Sequence, residues 1–451
     1  MMSFSIVKGL FLLLMFVISI EGTIALRNTL ITFIIAYLVF HKDILIETYV
    51  DVISSKELKS FSILLLIFLF YVLIHTYFIS LDFYWSIDEW RAHLLYPVVY
   101  FFIGMAVANF VIYKKIASAN VFLTAIFFSI FLHIIYIDLQ GINYLIDNGK
   151  MLRRFGGFMD SPTLANYLTN ILIAFLTAEY IYRLRSKQRF LQLSNGFLHL
   201  AIVALIFSTF IESLRLGDIS LVLLAISASI VFTYKNNAYS RNSKILIVSL
   251  IVLVLSIPLA YNLMSDPRWG KLVETVPVAL DTANSEHWIN ESLPSPKSES
   301  GFEVKGSNYQ RIAWARKSLE WIIEEPMGIG FGRNAFGHAM RIHHPDLENL
   351  IAIGQTSHSS ILDLTIGIGI LGTVLWVIFI FNIAIKSVKI FASNGSFFSI
   401  LTLFITIGYF SRGLVDANMR DHMLLQFMLI LGIVVFYLFN EGKKDEENIS
   451  N

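Results

Sequence analysis

The sequence predicts an all-α integral membrane protein with about twelve transmembrane helices and one large, partly helical external loop. Three observations carry this. Hydrophobic residues make up 56% of the 451, with 38 phenylalanines, and the mean hydropathy of +0.67 is far above that of an ordinary soluble domain. The apolar residues are gathered into runs near the roughly 20 residues that cross a bilayer as one helix. One stretch, from about Met264 to Ser357, breaks the pattern with prolines, tryptophans and charges.

In chain order the predicted spans lie near 4–22, 25–41, 61–80, 93–113, 117–137, 162–182, 195–211, 217–234, 244–262, 358–385, 396–411 and 422–440. Residues 1–263 thus carry spans one to nine, 264–357 form a loop subdomain, 358–440 carry the last three spans and 441–451 are a cytoplasmic tail. The first run, FSIVKGLFLLLMFVISIEG, has no A-x-A-like site after its apolar core and reads as a retained helix. Positive charge orients the set, because cytoplasmic loops keep Lys and Arg. With the N-terminus inside, 17 Lys and Arg fall on the cytoplasmic side, Lys56, Lys115, Arg183 and Lys386 among them, against eight in short external segments. The absence of cysteine excludes disulfides, thiolate nucleophiles and cysteine metal clusters. A net charge of +1 points to no nucleic-acid partner.

Within the polar segment, SNYQRIAWARKSLEWIIEEP reads as an amphipathic helix with Ile312, Ala315, Leu319 and Ile322 on one stripe, Ser307 or Asn308 as cap and Pro326 as stop. LPSPKSESG reads as a flexible hairpin or loop. The glycines of PMGIGFGRNAFG lack a GK[ST] ending and a preceding strand, so a tight turn and close backbone packing are expected rather than a phosphate loop. His338, His343, His344 and Asp346 in HAMRIHHPD match no strong zinc spacing. Neither a metal nor a cofactor is expected.

The orientation gathers Arg153, Arg154, Arg215, Arg311, His358, Arg412, Asp416, Arg420, Asp421 and His422 on the external side. Several stand at or just inside helix ends, where a charge without a partner is costly, so a shared polar cavity is expected. Guanidinium groups keep their charge and offer forked donors, which suits a diphosphate. Blander accounts stand beside this. Arg153 and Arg154 follow Lys150 and read equally well as solvated loop charges, Arg215 as a snorkelling side chain, and Arg311 as an exposed charge or the partner of a nearby Glu. Arg412, Asp416 and Arg420, at successive i,i+4 spacings, read best as a salt-bridge ladder on one helix face, and His422 as an interfacial residue. His358, in GQTSHSSILDL, stands where the polar segment meets an apolar run. With an ordinary pKa of about 6.5, a neutral imidazole is suited to take a proton from an incoming hydroxyl.

At these residues the sequence resembles the O-antigen ligase family and, more broadly, the ligases and polymerases that use polyprenyl-linked glycans. RRFGGFMDSPTLANYL resembles the family's Arg and Gly-rich turn before a small-residue helix start. SLRLGDISLVLLAISASIVF resembles its Ser-Arg-Gly turn, with Leu216 intruding between Arg215 and Gly217. RIAWARKSLEWIIEEPMGIGFGRNAFGHAM resembles its Arg–Trp helix with Pro and a Gly-rich turn, and HSSILDLTIGIGILG its His-led helix, although Ser357 and Ser359 stand where many members have Asn or a second His. The resemblance runs from about Leu152 to Asn440. It implies an inverting, metal-independent glycosyltransferase of the bacterial inner membrane with a periplasmic loop and active site. The donor would be an undecaprenyl-diphosphate-linked glycan and the acceptor lipid A-core, with membrane lipid around both. Arg215 and Arg311 would bind the diphosphate and His358 would be the base. An O-antigen polymerase is the nearest rival; a transporter is disfavoured, since charges cluster at one face and no internal repeat is visible.

Overall fold

A backbone in lipid has no water to bond, so an apolar chain must satisfy its own N–H and C=O groups, and helices do so within one segment. The computed structural model describes residues 4–113, 118–152, 154–212, scattered positions between 222 and 233, 239–265, 271–290, 292–304, 306–345, 356–419 and 421–450. Among them the regular structure is helical, apart from one antiparallel bridge between Lys297 and Glu303, in the segment expected to be a hairpin or loop.

Helices α1 (Phe4–Val17), α2 (Ile24–Phe40), α3 (Lys42–Ser54) and α4 (Lys56–Phe78) come first. Then α5 (Phe83–Trp90) runs through a π-turn at 91–95 into α6 (Tyr96–Tyr113), followed by α7 (Ala119–Asn148), α8 (Pro162–Ser186), α9 (Asn195–Ile211) and α10 (Arg241–Ser265). The polar segment holds α11 (Leu272–Leu280), α12 (Ser307–Glu324) and α13 (Ala335–His343). The chain closes with α14 (Ser360–Asn394), α15 (Phe397–Gly413) and α16 (Asp421–Ser450).

By length and apolarity the described residues give seven spanning helices, or eight if α2 and α3, bent by 87° at their junction, form one span. Three shorter apolar helices lie at 6–17, 195–211 and 397–413. Most of the stretch expected to span near 217–234 lies outside the described residues. KDILIETYVDVIS, taken above as part of a loop, is helix α3, which buries Ile44 and Thr48.

Helices α6 and α16 pack backbone against backbone. A Cβ on Gly104 would stand 2.3 Å from the Leu429 carbonyl oxygen, and one on Gly432 2.1 Å from that of Phe101. Small residues let backbones approach where lipid offers no hydrophobic drive between helices.

Helix α14 was expected as one span near 358–385, and it breaks at Gly369 (φ 72°, ψ 177°). Thr373 Oγ1 donates to Thr365 Oγ1 at 3.0 Å. In an unbroken helix those two positions lie about 12 Å apart along the axis. The glycine-rich turn fills the break: Ile329 N and Gly330 N donate to the carbonyls of Ile366 and Gly367, and Ile370 N donates to that of Pro326. Tyr71 Oη donates to Ile368 O at 3.1 Å, and His75 Nε2 to Met327 O at 2.7 Å. A Cβ on Gly328 would stand 2.4 Å from Gly369 N. Close backbone packing is therefore the reason for these glycines.

The polar segment has its own core of Trp288, Tyr309, Trp314, Trp321, Phe336 and Met340. Here two expectations for α12 are corrected. The residue before its first turn is Gly306 (φ 80°), so Ser307 and Asn308 lie inside the helix rather than at its cap position. Its buried face is Tyr309, Ala313, Trp314, Ser318 and Trp321, while Leu319 is exposed. Indole rings bury more apolar area than an isolated Leu or Ile, and they set the facing. The helix stops before Pro326 as expected.

Candidate functional site

His358 sits in a turn whose conformation is fixed by its neighbours. Its φ of 62° lies in the left-handed region, uncommon for a non-glycine residue. Ser357 N donates to Asp363 Oδ1 at 2.9 Å, Ser359 N to Ser357 Oγ at 3.2 Å, and His358 N to Thr356 Oγ1 at 3.3 Å. Ser359 Oγ accepts from Leu362 N and so caps α14. The two serines that flank the histidine thus shape the turn. Thr356, Ser357, Ser359 and Ser360 are buried, whereas His358 keeps partial exposure.

The turn after α15 supports it from beneath. Ser360 N donates to Asp416 O at 3.1 Å, Ser359 Oγ to Gly413 O at 3.3 Å, and Met419 N to Ser360 Oγ at 2.9 Å. The same turn receives Arg311, whose Nη1 donates to Val415 O at 3.4 Å. One turn along α12, Trp314 stacks on the His358 imidazole, with centroids 5.4 Å apart and planes 12° apart. Trp314 is itself anchored by Nε1 donating to Trp288 O at 2.9 Å. Positions i and i+3 share a helix face, so α12 brings Arg311 and the ring against His358 together.

Arg412 does something different. It is almost fully buried: Nε and Nη2 reach Asp416 Oδ2 at 2.9 and 2.7 Å, Nη1 donates to Asn166 Oδ1 at 2.6 Å, and Nη2 to Thr163 O at 2.8 Å. The expected Arg412–Asp416 pair forms, across the C-terminal turn of α15 rather than along one helix, because α15 ends at Gly413. Its guanidinium ties α8 to the turn beneath His358. From Asn166 the network continues to Glu212, which accepts from Asn166 Nδ2 and Thr169 Oγ1.

Arg154 is exposed, with φ 62°. Its segment lies beside the end of α9, since Phe155 N donates to Ile211 O at 3.0 Å. His422 is buried near the start of α16. Arg153, Arg215 and Arg420 lie outside the described residues. The histidines of HAMRIHHPD pack on separate indoles: His338 on Trp85, His343 on Trp321 and His344 on Trp288. Burial pushes the His338 and His344 imidazoles below their ordinary 6.5. Asp346 lies outside the described residues.

The structure thus joins Arg311 and His358 and sets Arg412 and Asp416 below them as a scaffold. Trp314, Asp363, Asn166 and Glu212 were not singled out from sequence. Glu212 had left a signal, an acid beside an apolar run in IESLRLGD. A half-exposed imidazole and a guanidinium that meet the same supporting turn suit a step in which one takes a proton while the other holds an anion.

No curated protein matches the chain. Residues 198–377, a stretch that contains Arg215, Arg311 and His358, match a family model described as O-antigen ligase. Over this stretch, less than half of its length, the chain is similar to the O-antigen ligase family.

Proposed function

We propose that the protein is an O-antigen ligase, a glycosyltransferase that moves a glycan from undecaprenyl diphosphate to a sugar hydroxyl of lipid A-core at the periplasmic face of the inner membrane. The observation that carries this is the meeting of Arg311 and His358 through Trp314, inside the stretch that matches the family. The acceptor hydroxyl gives its proton to the His358 imidazole as its oxygen attacks the anomeric carbon. The bond from that carbon to the diphosphate oxygen breaks, its electron pair leaves on the diphosphate, and configuration inverts. Arg311, Arg215, Arg154 and Arg153 take the charge that develops on the diphosphate, and Arg412, Asp416, Arg420 and His422 have supporting roles. No metal enters the step.

A groove of about 280 Å³ between α8, α9 and α10 supports the lipid-linked donor. Its walls are apolar except for Thr177, Tyr180 and His199. Those of α8 and α9 lead towards Asn166 and Glu212. A polyprenyl tail lying there has its diphosphate end directed to the polar network.

The test is transfer by the purified protein from undecaprenyl-diphosphate glycan to lipid A-core, with and without chelator. His358→Ala is expected to lose about a hundred- to ten-thousand-fold, the usual worth of a general base, with donor binding retained. Arg311→Lys is expected to transfer poorly, because Lys keeps the charge but not the forked donors. Near wild-type rates in both variants, or activity lost to chelator and restored by a divalent ion, refute the mechanism. Deleting the gene distinguishes the polymerase reading: a ligase mutant accumulates full-length polymer on its carrier, and a polymerase mutant leaves core capped with one repeat unit.

A further inference from the structure

Beside the His358 turn the glycine-rich turn, α14 and the turn after α15 line a small cavity, with Gly332, Arg333, Ser360, Asp363, Ala417 and Met419 among its walls. We infer that this cavity receives a hydroxyl of the acceptor sugar neighbouring the one that reacts, with Arg333 and Asp363 as its two clamps; the inference rests on the ligase reading above.

Size is the first reason. The enclosed space is about 20 Å³, and one water needs about 10–15 Å³. One hydroxyl fits, and a diphosphate does not. Chemistry is the second. A hydroxyl both donates and accepts, and the walls offer a guanidinium donor, a carboxylate acceptor and the Ser360 hydroxyl. The carboxylate that welcomes a neutral hydroxyl repels a phosphate.

Position is the third reason. Asp363 Oδ1 accepts from Ser357 N, so the carboxylate lies directly under the turn that carries His358. Arg333 also lines the cavity and is pinned by Glu89, which accepts from Arg333 N at 2.9 Å and pairs with Nε at 3.5 Å. Gly332 permits that approach, for a Cβ there would stand 2.0 Å from the Trp85 ring. Arg311 and Trp314 come to His358 on α12, whereas Ser360 and Asp363 belong to α14. Because Ser357, held by Asp363, adjoins His358, an acceptor sugar seated by one hydroxyl in this pocket lies beside the base.

Steady-state transfer with undecaprenyl-diphosphate glycan and lipid A-core varied independently tests this. Arg333→Gln is expected to raise the acceptor KM about tenfold or more, the loss of one charge-assisted hydrogen bond, with the donor KM within about twofold of wild type. Ala417→Val, which fills the cavity without touching a charge, is expected to do the same and decides the matter if Arg333→Gln fails to fold. An unchanged acceptor KM in the folded variants, or a rise in donor KM instead, overturns the acceptor pocket while the ligase reading stands. If the wild-type protein transfers nothing between these substrates, the ligase reading falls and the pocket with it.

Discussion

At His358 the sequence placed a titratable ring at a threshold, and the structure adds what lies against it. The indole of Trp314 faces the imidazole at 5.4 Å, within the range over which a ring face attracts a cation. Protonation of His358 is thus favoured at the moment it takes the acceptor's proton. Trp314→Leu is expected to lower transfer several-fold, and Trp314→Phe, which keeps a ring face, to recover most of it. Rates at saturating donor check this, and a Phe variant as slow as the Leu variant assigns Trp314 to packing alone. The pairing itself was not legible, because Trp314 and His358 stand far apart in sequence and the indole looked like ordinary amphipathic filling. The arginines were legible one by one, since a charge at the end of an apolar run is conspicuous. What distinguishes buried, fully engaged Arg412 from half-exposed Arg311 is three-dimensional.

Among the elements, the helical character of the apolar runs was legible, because lipid leaves a backbone little choice, whereas about twelve spans were expected and the described residues give seven or eight. The break in α14 was not, because Gly367, Gly369 and Gly372 are all tolerated in membrane helices and only the backbone partners supplied by the 326–330 turn select the kink. The facing of α12 was misjudged for a related reason: Leu and Ile periodicity was counted, while tryptophan burial decided it. Helix α13 carries a pH consequence. Burial holds His338 below its ordinary 6.5, stacked on Trp85 at 4.0 Å. The unfolded state therefore binds more protons than the folded one as pH falls past that value, and the contribution of this contact is full above it and lost below it. Proteolysis of the polar segment in detergent should accelerate between about pH 7.5 and about 5.5, and His338→Phe should flatten the dependence. An acceleration undiminished in His338→Phe assigns the effect to other groups.

For the molecule as a whole, the proposed orientation rests on the two-to-one positive bias, which predicts the polar segment outside. A reporter fused near Ser298 is expected to be active outside the inner membrane, and labelling of that position from the cytoplasm would reverse the orientation. The same view sets two regions of the chain against each other. The family match ends at residue 377, yet the carbonyls that receive Arg311 and Ser360 belong to Val415 and Asp416, between the last two helices. A ribosome delivers the arginine and the histidine first and the turn that seats them last. Until that final hairpin has entered the bilayer the growing chain lacks the seat of its proposed site, so on the function proposed above an interrupted translation product transfers nothing. Biogenesis itself, through the order in which the segments emerge, then serves as a safety catch.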